Sequence, residues 1–426
     1  MSNSLISRNE GRIPKQLQAV RPSGQKPRYR HARSRAEESD ALAGEIAALR
    51  EKGMRLSDIA VIYRGNYMSR AIEEALVRKK IPYEIYSGTA FYQRREIKDA
   101  LSYLRLLVFG DDVSFLRVVN VPARGIGKTR QNMLQEVAES KNVSRLCALR
   151  ELAEHPLFKG TKARELLALL GEAKEFSREN DLADTLDFLL QRSGYEGYLR
   201  LCGNQDRLDN LNELKASVRE AVDSAGEEVN AEDYLNGISL ITSADAEDKK
   251  ECVKLMTVHT AKGLEFPAVF VCCLNEGLFP SRKIRTREEM EEERRVAYVA
   301  LTRAESLLYL SDAEGFDANC GGNLYTSRFL FDIDKDLLEA SGAFSEGHLA
   351  RSKSYIKKSE LSMGIIPASE QRFLFRAGDK VRHPHFGAGV VLDFGGGAYT
   401  VEFESGKTRS VSAASDLLIP FYERKS

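Results

Sequence analysis

The decapeptide VPARGIGKTR, residues 121–130, sets Gly125 and Gly127 directly before Lys128 and Thr129. A phosphate-binding loop of the form G-x-x-x-x-G-K-[ST] wraps a triphosphate in backbone N–H groups while its lysine and hydroxyl reach the terminal phosphates and magnesium. Counting back from Gly127 places Pro122 where the first glycine should stand, and proline has no N–H to donate. The other Gly-Lys-Thr, at Gly406, Lys407 and Thr408, has Val401 in that place. No Asp-Glu pair occurs to end a magnesium-binding strand. These 426 residues encode no complete ATPase site.

Two further stretches carry reactive residue types. In VKLMTVHTAKGLEFPAVFV, residues 253–271, a strand runs into a polar loop and returns to a strand. Thr257, His259, Lys262 and Glu265 fall in or beside that loop, at the end of the first strand, where open α/β sheets bind ligands. A solvated sheet edge is the other reading. In EEERRVAYVALTRAESLLYLS, residues 291–311, Val296, Val299 and Ala300 have helical spacing, which keeps Arg295 and Arg303 off the core-facing stripe. An arginine at a helix end offers a phosphate a planar fork of donors, and in phosphoryl transfer it offsets charge growing on the γ-phosphate. Alternatively, Glu291 to Glu293 and the arginines form i,i+4 pairs on a wet helix.

The elements that must position these residues follow from periodicity. AEESDALAGEIAALREKG reads as a helix stopped by Gly53, and SDIAVIYRG as a buried strand. SRAIEEALVRKK is helical again, and IPYEIYSG is a second strand. This alternation predicts βαβ units and a parallel sheet. After residue 90 the strands vanish. Ile97, Ala100, Leu101, Leu104 and Leu107 share one helical face, and similar helices continue to about residue 240. Strands return at VKLMTV and AVFVCCL, so the helical block interrupts one sheet domain. The expected order is a sheet domain over 1–90, a helical insertion over 91–248, the rest of the sheet over 249–335, a linker over 336–370, and a small antiparallel β barrel over 371–422.

Composition sets the outer bounds. With 42% hydrophobic and 30% charged residues the chain has material for ordinary globular cores, and no apolar run approaches the ~20 residues of a membrane span. Six cysteines without a CxxC pair predict reduced thiols in a cytoplasmic protein, with adjacent Cys272 and Cys273 packed in a strand. Net charge is zero, yet residues 1–35 hold nine Lys/Arg against Glu10 alone, either a segment lying along phosphates or a solvated end. His383 and His385 flank Pro384, but no Cys or carboxylate cluster completes a site there, so no metal is expected.

Taken together, residues 253–271 and 291–311 resemble motifs V and VI of the UvrD/PcrA/Rep-type superfamily 1A DNA helicases. IAVIYRGNYMSRAIEEALVRKKIPYEIYSG and FYQRREIKDALSYLRLLV resemble that family's second motor domain (2A) and the start of its 2B insertion. VVNVPARGIG resembles its GIG element, GLFPS the segment after motif V, and GDKVRHPHFGAGVV its Tudor-like barrel. The resemblance implies an α/β fold: a RecA-like parallel sheet, a mostly α-helical insertion and a C-terminal SH3/Tudor-like barrel. The family's first motor domain, with Walker A and Walker B, has no counterpart here. SLISRNEGRIPKQL resembles the text after motif IV, so the expectation is a C-terminal half.

By this resemblance Arg303 is an arginine finger offered to ATP held between two motor domains, and Glu265 contacts that nucleotide. Thr257 and His259, with Arg64 and Asn66, face single-stranded DNA. Gly125, Gly127 and Lys128 approach a duplex phosphate through a nest of N–H groups. The implied partners are single-stranded and duplex DNA, a separate N-terminal helicase half and, through the barrel, RNA polymerase, with no membrane. ATP and Mg are expected only together with the missing motor domain. The complete machine implied is an ATP-dependent 3′-to-5′ helicase. The alternative is a non-catalytic DNA- or RNA-polymerase-binding protein derived from one.

Overall fold

The computed structural model of the chain describes residues 1–10, 25–225, 229–244, 251–317, 320–363, 375, 377–383, 386–395, 398–412 and 418–420. Arg12, Lys15 and Arg21 of the basic run, and His385, lie outside the described residues. The chain divides into two units, Met1–Ile284 with Glu289–Ser352, and Arg285–Glu288 with Lys353–Ser426.

The first unit is built on seven parallel strands: β1 (Arg28–Ala32), β2 (Ile59–Tyr63), β3 (Tyr83–Ile85), β4 (Val253–Thr257), β5 (Phe266–Val271), β6 (Ala304–Ala313) and β9 (Glu339–Ser341). A short ribbon of β7 (Phe316–Asp317) and β8 (Gly322–Asn323) lies outside that sheet. The sheet order is β3-β4-β2-β5-β6-β1-β9. All five residues of β2 are buried, as a strand covered on both faces requires. The helix Arg35–Glu51 starts on Ser34, whose hydroxyl accepts from Glu37 N, and stops where Gly53 adopts φ +90° and Met54 N reaches back to Leu49 O.

β4 enters the sheet between β3 and β2, although about 170 residues separate it from β3 in sequence. Among the described residues, the elements between them are all helices, including Arg95–Val108 and Ala231–Ala244. This insertion has its own core, with Leu104, Phe115, Leu166, Leu189 and Tyr195 in one buried cluster. Ile59, Val61, Ile72, Leu255 and Phe270 belong to another, under the sheet. Charge joins the two. Glu213, on the inserted helix Gln205–Ala225, is buried between Arg35 at 3.0 Å and Arg70 at 2.8 Å. Arg35 also reaches Asp317 at 2.9 Å, and Arg70 reaches Glu74 and Glu220. Burial pushes the Glu213 carboxyl up, and the two guanidinium groups outweigh it, holding the group below the usual range.

Three expectations need correction. β1 was not anticipated, because Arg28 and Arg30 interrupt it; they point away from the core while Tyr29 and His31 turn inward onto Asp312. Residues 336–370, expected as a linker, contain β9, which pairs with β1, and the helix His348–Ser362. The polarity of Glu339–Ser341 is that of an exposed edge strand, and residues 364–370 lie outside the described residues. On the helix Arg287–Leu301 the buried stripe includes Glu293, Ala297, Ala300 and Leu301, whereas Val296 and Val299 are half-buried. Glu293 is admitted to the interior by its pairing with Arg64.

The second unit contains a five-stranded antiparallel sheet of β10 (Lys380–His383), β11 (Gly387–Gly395), β12 (Ala398–Phe403), β13 (Thr408–Ser412) and β14 (Ile419–Pro420), in the order β13-β12-β11-β10-β14. Val381, Val391, Val401 and Phe403 fill its core.

Candidate nucleic-acid and nucleotide interface

β2 and β4 run side by side with Tyr63 opposite Thr257, so the residues that follow each strand emerge together at one edge of the sheet. Arg64 and Asn66 follow β2; Thr257 ends β4 and His259 follows it. All four line one cleft of about 310 Å³, with Ser281, Arg282, Lys283, Asp206 and Asp209 on its other walls. His259 and Asn66 are exposed. Thr257 Oγ1 is 3.0 Å from Thr260 Oγ1 and accepts from Thr260 N, which folds the chain sharply as it leaves the strand.

Arg64 is not an open cation. Its Nε and Nη2 form a two-bond fork with the Glu293 carboxylate at 2.8 and 3.0 Å, and Ser281 N donates to the same carboxylate at 3.0 Å. That fork fixes the rim of the cleft and leaves Nη1 outside it. Arg282 and Lys283 add positive charge and pair with Asp209 at 3.1 Å each. These two cations directly follow GLFPS in the sequence. Their signal was the basic pair directly after Pro280 and Ser281.

Glu265 and Arg303 meet at the opposite edge. Glu265 precedes β5 and Arg303 precedes β6, with Phe266 opposite Ala304 across the ladder. Arg303 Nη1 donates to Leu264 O at 2.9 Å, Nε to Val299 O at 3.0 Å and Nη2 to Thr302 Oγ1 at 3.0 Å. Phe266 N donates back to Arg303 O at 3.0 Å. The guanidinium is thus half-buried and oriented wholly by neutral acceptors, and among the described residues it pairs with no carboxylate. Glu265 is exposed. Arg295 instead takes the solvated-helix reading, paired with Glu291 and Glu292.

Thr257, His259, Lys262 and Glu265 therefore do not form one cluster at the end of β4, as expected from the sequence. Thr257 lies level with Tyr63, and Ile62 with Val271, so Glu265 sits some seven strand positions back, about 20 Å along the sheet. Residues 258–265 cross the domain from one edge to the other. Turns carry the crossing, with Ala261 N bonded to Thr257 O, Leu264 N to Ala261 O, and Gly263 at φ +85°. Lys262 is exposed midway.

Gly125, Gly127 and Lys128 lie in the helical insertion, apart from the cleft lining. The Asn120 side-chain oxygen Oδ1 accepts from Arg124 N at 3.2 Å and Ile126 N at 3.0 Å, and buried Arg124 donates to Val118 O at 2.7 Å. Gly125 supplies the φ of +73° that the turn demands. Gly127 is the N-cap of the helix Lys128–Lys141 and gives it no side-chain cap bond, and Lys128 beside it is exposed. An uncapped helix start with a lysine at its mouth attracts phosphate.

In the second unit His383 is buried and stacked 4.4 Å from Phe386, with the edge of Phe403 at 5.9 Å, so it packs as an aromatic ring. Among the described residues no helix is long and apolar enough to cross a membrane.

The model of the UvrD-like helicase C-terminal domain matches residues 1–315. The ATP-dependent DNA helicase PcrA of Staphylococcus epidermidis is 35% identical over 409 residues, which cover 92% of this chain and 55% of the relative. DNA helicase II of Haemophilus influenzae is 35% identical over 407 residues, covering 93% and 55%. The chain spans about half the length of the curated relatives it matches. Its parallel sheet, its interrupting helices and the match over residues 1–315 place it in the UvrD-like helicase C-terminal domain family.

Proposed function

We propose that this chain supplies the second motor domain of an ATP-dependent, 3′-to-5′ DNA-translocating helicase. One observation carries the reading: the two candidate clusters sit at opposite edges of one sheet and are joined by residues 258–265. In this reading Arg303 meets the γ-phosphate of an ATP held, with Mg, by a separate N-terminal motor domain, and Glu265 contacts the same nucleotide. Thr257, His259, Asn66 and the free side of Arg64 face single-stranded DNA. Gly125, Gly127 and Lys128 hold a duplex phosphate, and the C-terminal antiparallel sheet acts as a Tudor-like barrel that docks RNA polymerase. The crossing segment links the two edges, so closure around ATP is felt by the strand.

The test is reconstitution. The 426-residue chain alone should release no phosphate in the presence of DNA, because no P-loop occurs in it. Mixing it with a motor domain that carries Walker A and B should give DNA-stimulated ATPase. The same lack of a P-loop favours a second reading, a non-catalytic DNA-binding protein, which predicts DNA binding with no recovered ATPase in any mixture. Phosphate release by the chain alone would refute both.

A further inference from the structure

Away from both edges, three segments far apart in sequence bring His31, Glu314 and His348 together. His31 is on β1, Glu314 directly follows β6, and His348 opens the helix His348–Ser362. The His31 ring is fully buried, His348 nearly so, and Glu314 is 13% exposed. One ligand atom from each, taken together, lie within 4.8 Å of one another.

The contacts around the cluster orient both rings. His31 Nδ1 donates to Asp312 Oδ1 at 2.8 Å. Its Nε2 is buried, makes no hydrogen bond and lies 3.6 Å from Glu314 Oε2. Thr326 Oγ1 bonds Asp312 Oδ2 at 2.7 Å and lies 3.1 Å from His348 Nε2, with Ser352 Oγ at 3.4 Å from the same nitrogen. His348 Nδ1 thereby faces Glu314 Oε2 at 3.1 Å. Two imidazole nitrogens thus converge on one carboxylate oxygen, a set of donors that suits a cation at their centre.

We propose that His31 Nε2, Glu314 and His348 Nδ1 form a divalent transition-metal site of the zinc class. The separations of 3.1 and 3.6 Å bracket the ~3.3 Å edge of a tetrahedron with metal–ligand bonds of about 2.0–2.1 Å. Two imidazoles select zinc-like ions over magnesium or calcium. The outer partners suit the role: Asp312 fixes the His31 tautomer, Ser345 Oγ donates to Glu314 Oε2 at 2.7 Å, and the Phe344 ring stacks 4.0 Å from His31 as an apolar cover. Bound there, the ion staples the start of the helix His348–Ser362 to the β1–β6 side of the sheet. The fourth position falls to water. The proposal stands independently of the helicase reading.

The test uses the full chain stripped with a chelator and titrated with Co²⁺, whose tetrahedral ligand field gives visible bands. One equivalent should develop the bands, Zn²⁺ should displace them, and metal analysis should find one Zn²⁺ per chain. Glu314→Gln and His348→Ala should abolish the bands, and Asp312→Asn should weaken affinity by about 10–100-fold. Loss of exposed His155 in His155→Gln should leave stoichiometry unchanged. Circular dichroism establishes that each variant is folded. No bands in the wild-type chain, an adventitious signal surviving in folded Glu314→Gln and His348→Ala, or loss of binding in His155→Gln would overturn the site.

Discussion

Arg303 brackets Glu265: its guanidinium binds the carbonyl of Leu264 on one side, and its own carbonyl accepts from Phe266 N on the other. A side chain that charges could pull in many directions is held by three neutral acceptors. The guanidinium is therefore held in one orientation with no counter-charge among the described residues.

Arg303→Ala should lower DNA-stimulated ATPase of the reconstituted helicase by about 10³-fold or more, with DNA affinity retained. Arg303→Lys should rescue little, since an ammonium cannot reproduce the planar fork. Steady-state phosphate release beside a DNA-binding titration separates the two effects. Normal turnover by Arg303→Ala would remove the arginine from the chemistry.

His259 is exposed in the cleft beside Thr257. Replacing it with alanine should weaken single-stranded DNA binding about tenfold, as loss of one stacking platform does. Thr257→Val should have a smaller effect and should loosen the turn that Thr260 shares. Fluorescence anisotropy with a short oligonucleotide checks both; unchanged affinity in His259→Ala would exclude base contact there.

Lys128 stands at an uncapped helix start. Lys128→Ala should weaken duplex binding uniformly across sequences and reduce the slope of log affinity against log salt by about 1, the signature of one lost phosphate contact. Affinities measured over a salt series give the slope, and an unaltered slope would count against the contact.

Glu213 links the two cores of the first unit. Glu213→Ala should destabilise the chain by about 3 kcal/mol, since it removes the buried carboxylate that Arg35 and Arg70 share and leaves them only Asp317, Glu74 and Glu220. The folded carboxyl holds its proton less tightly than an unfolded glutamate does, near 4.3. Its contribution is therefore complete above that value and is lost as pH falls through the folded value. Denaturant midpoints across acidic pH should fall less steeply in Glu213→Gln than in the wild type.

Much of the architecture was legible before any coordinates. Buried runs such as IAVIY and FPAVFV could only be interior strands, and Ala163–Phe176 declared itself by its leucine spacing. The helical interruption showed as a change of period. β1 and β9 did not, because Arg28, Arg30 and Glu339 mask short strands whose partners lie about 280 and 310 residues away in sequence. Arg303 was legible as a helix-end arginine, but its neutral anchors were not. Nor was the fork that Arg64 makes with Glu293, a residue 229 positions later.

The sequence by itself determined the longer buried strands and helices, their order, the absence of a G-x-x-x-x-G-K-[ST] run in these residues and the family. These depend on local spacing and on short motifs, which linear text preserves. Tertiary structure alone decided that Thr257 and Glu265 occupy opposite edges of a sheet, and that His31, Glu314 and His348 converge. Both depend on strand direction and register, and a parallel sheet sets those through contacts between segments hundreds of residues apart.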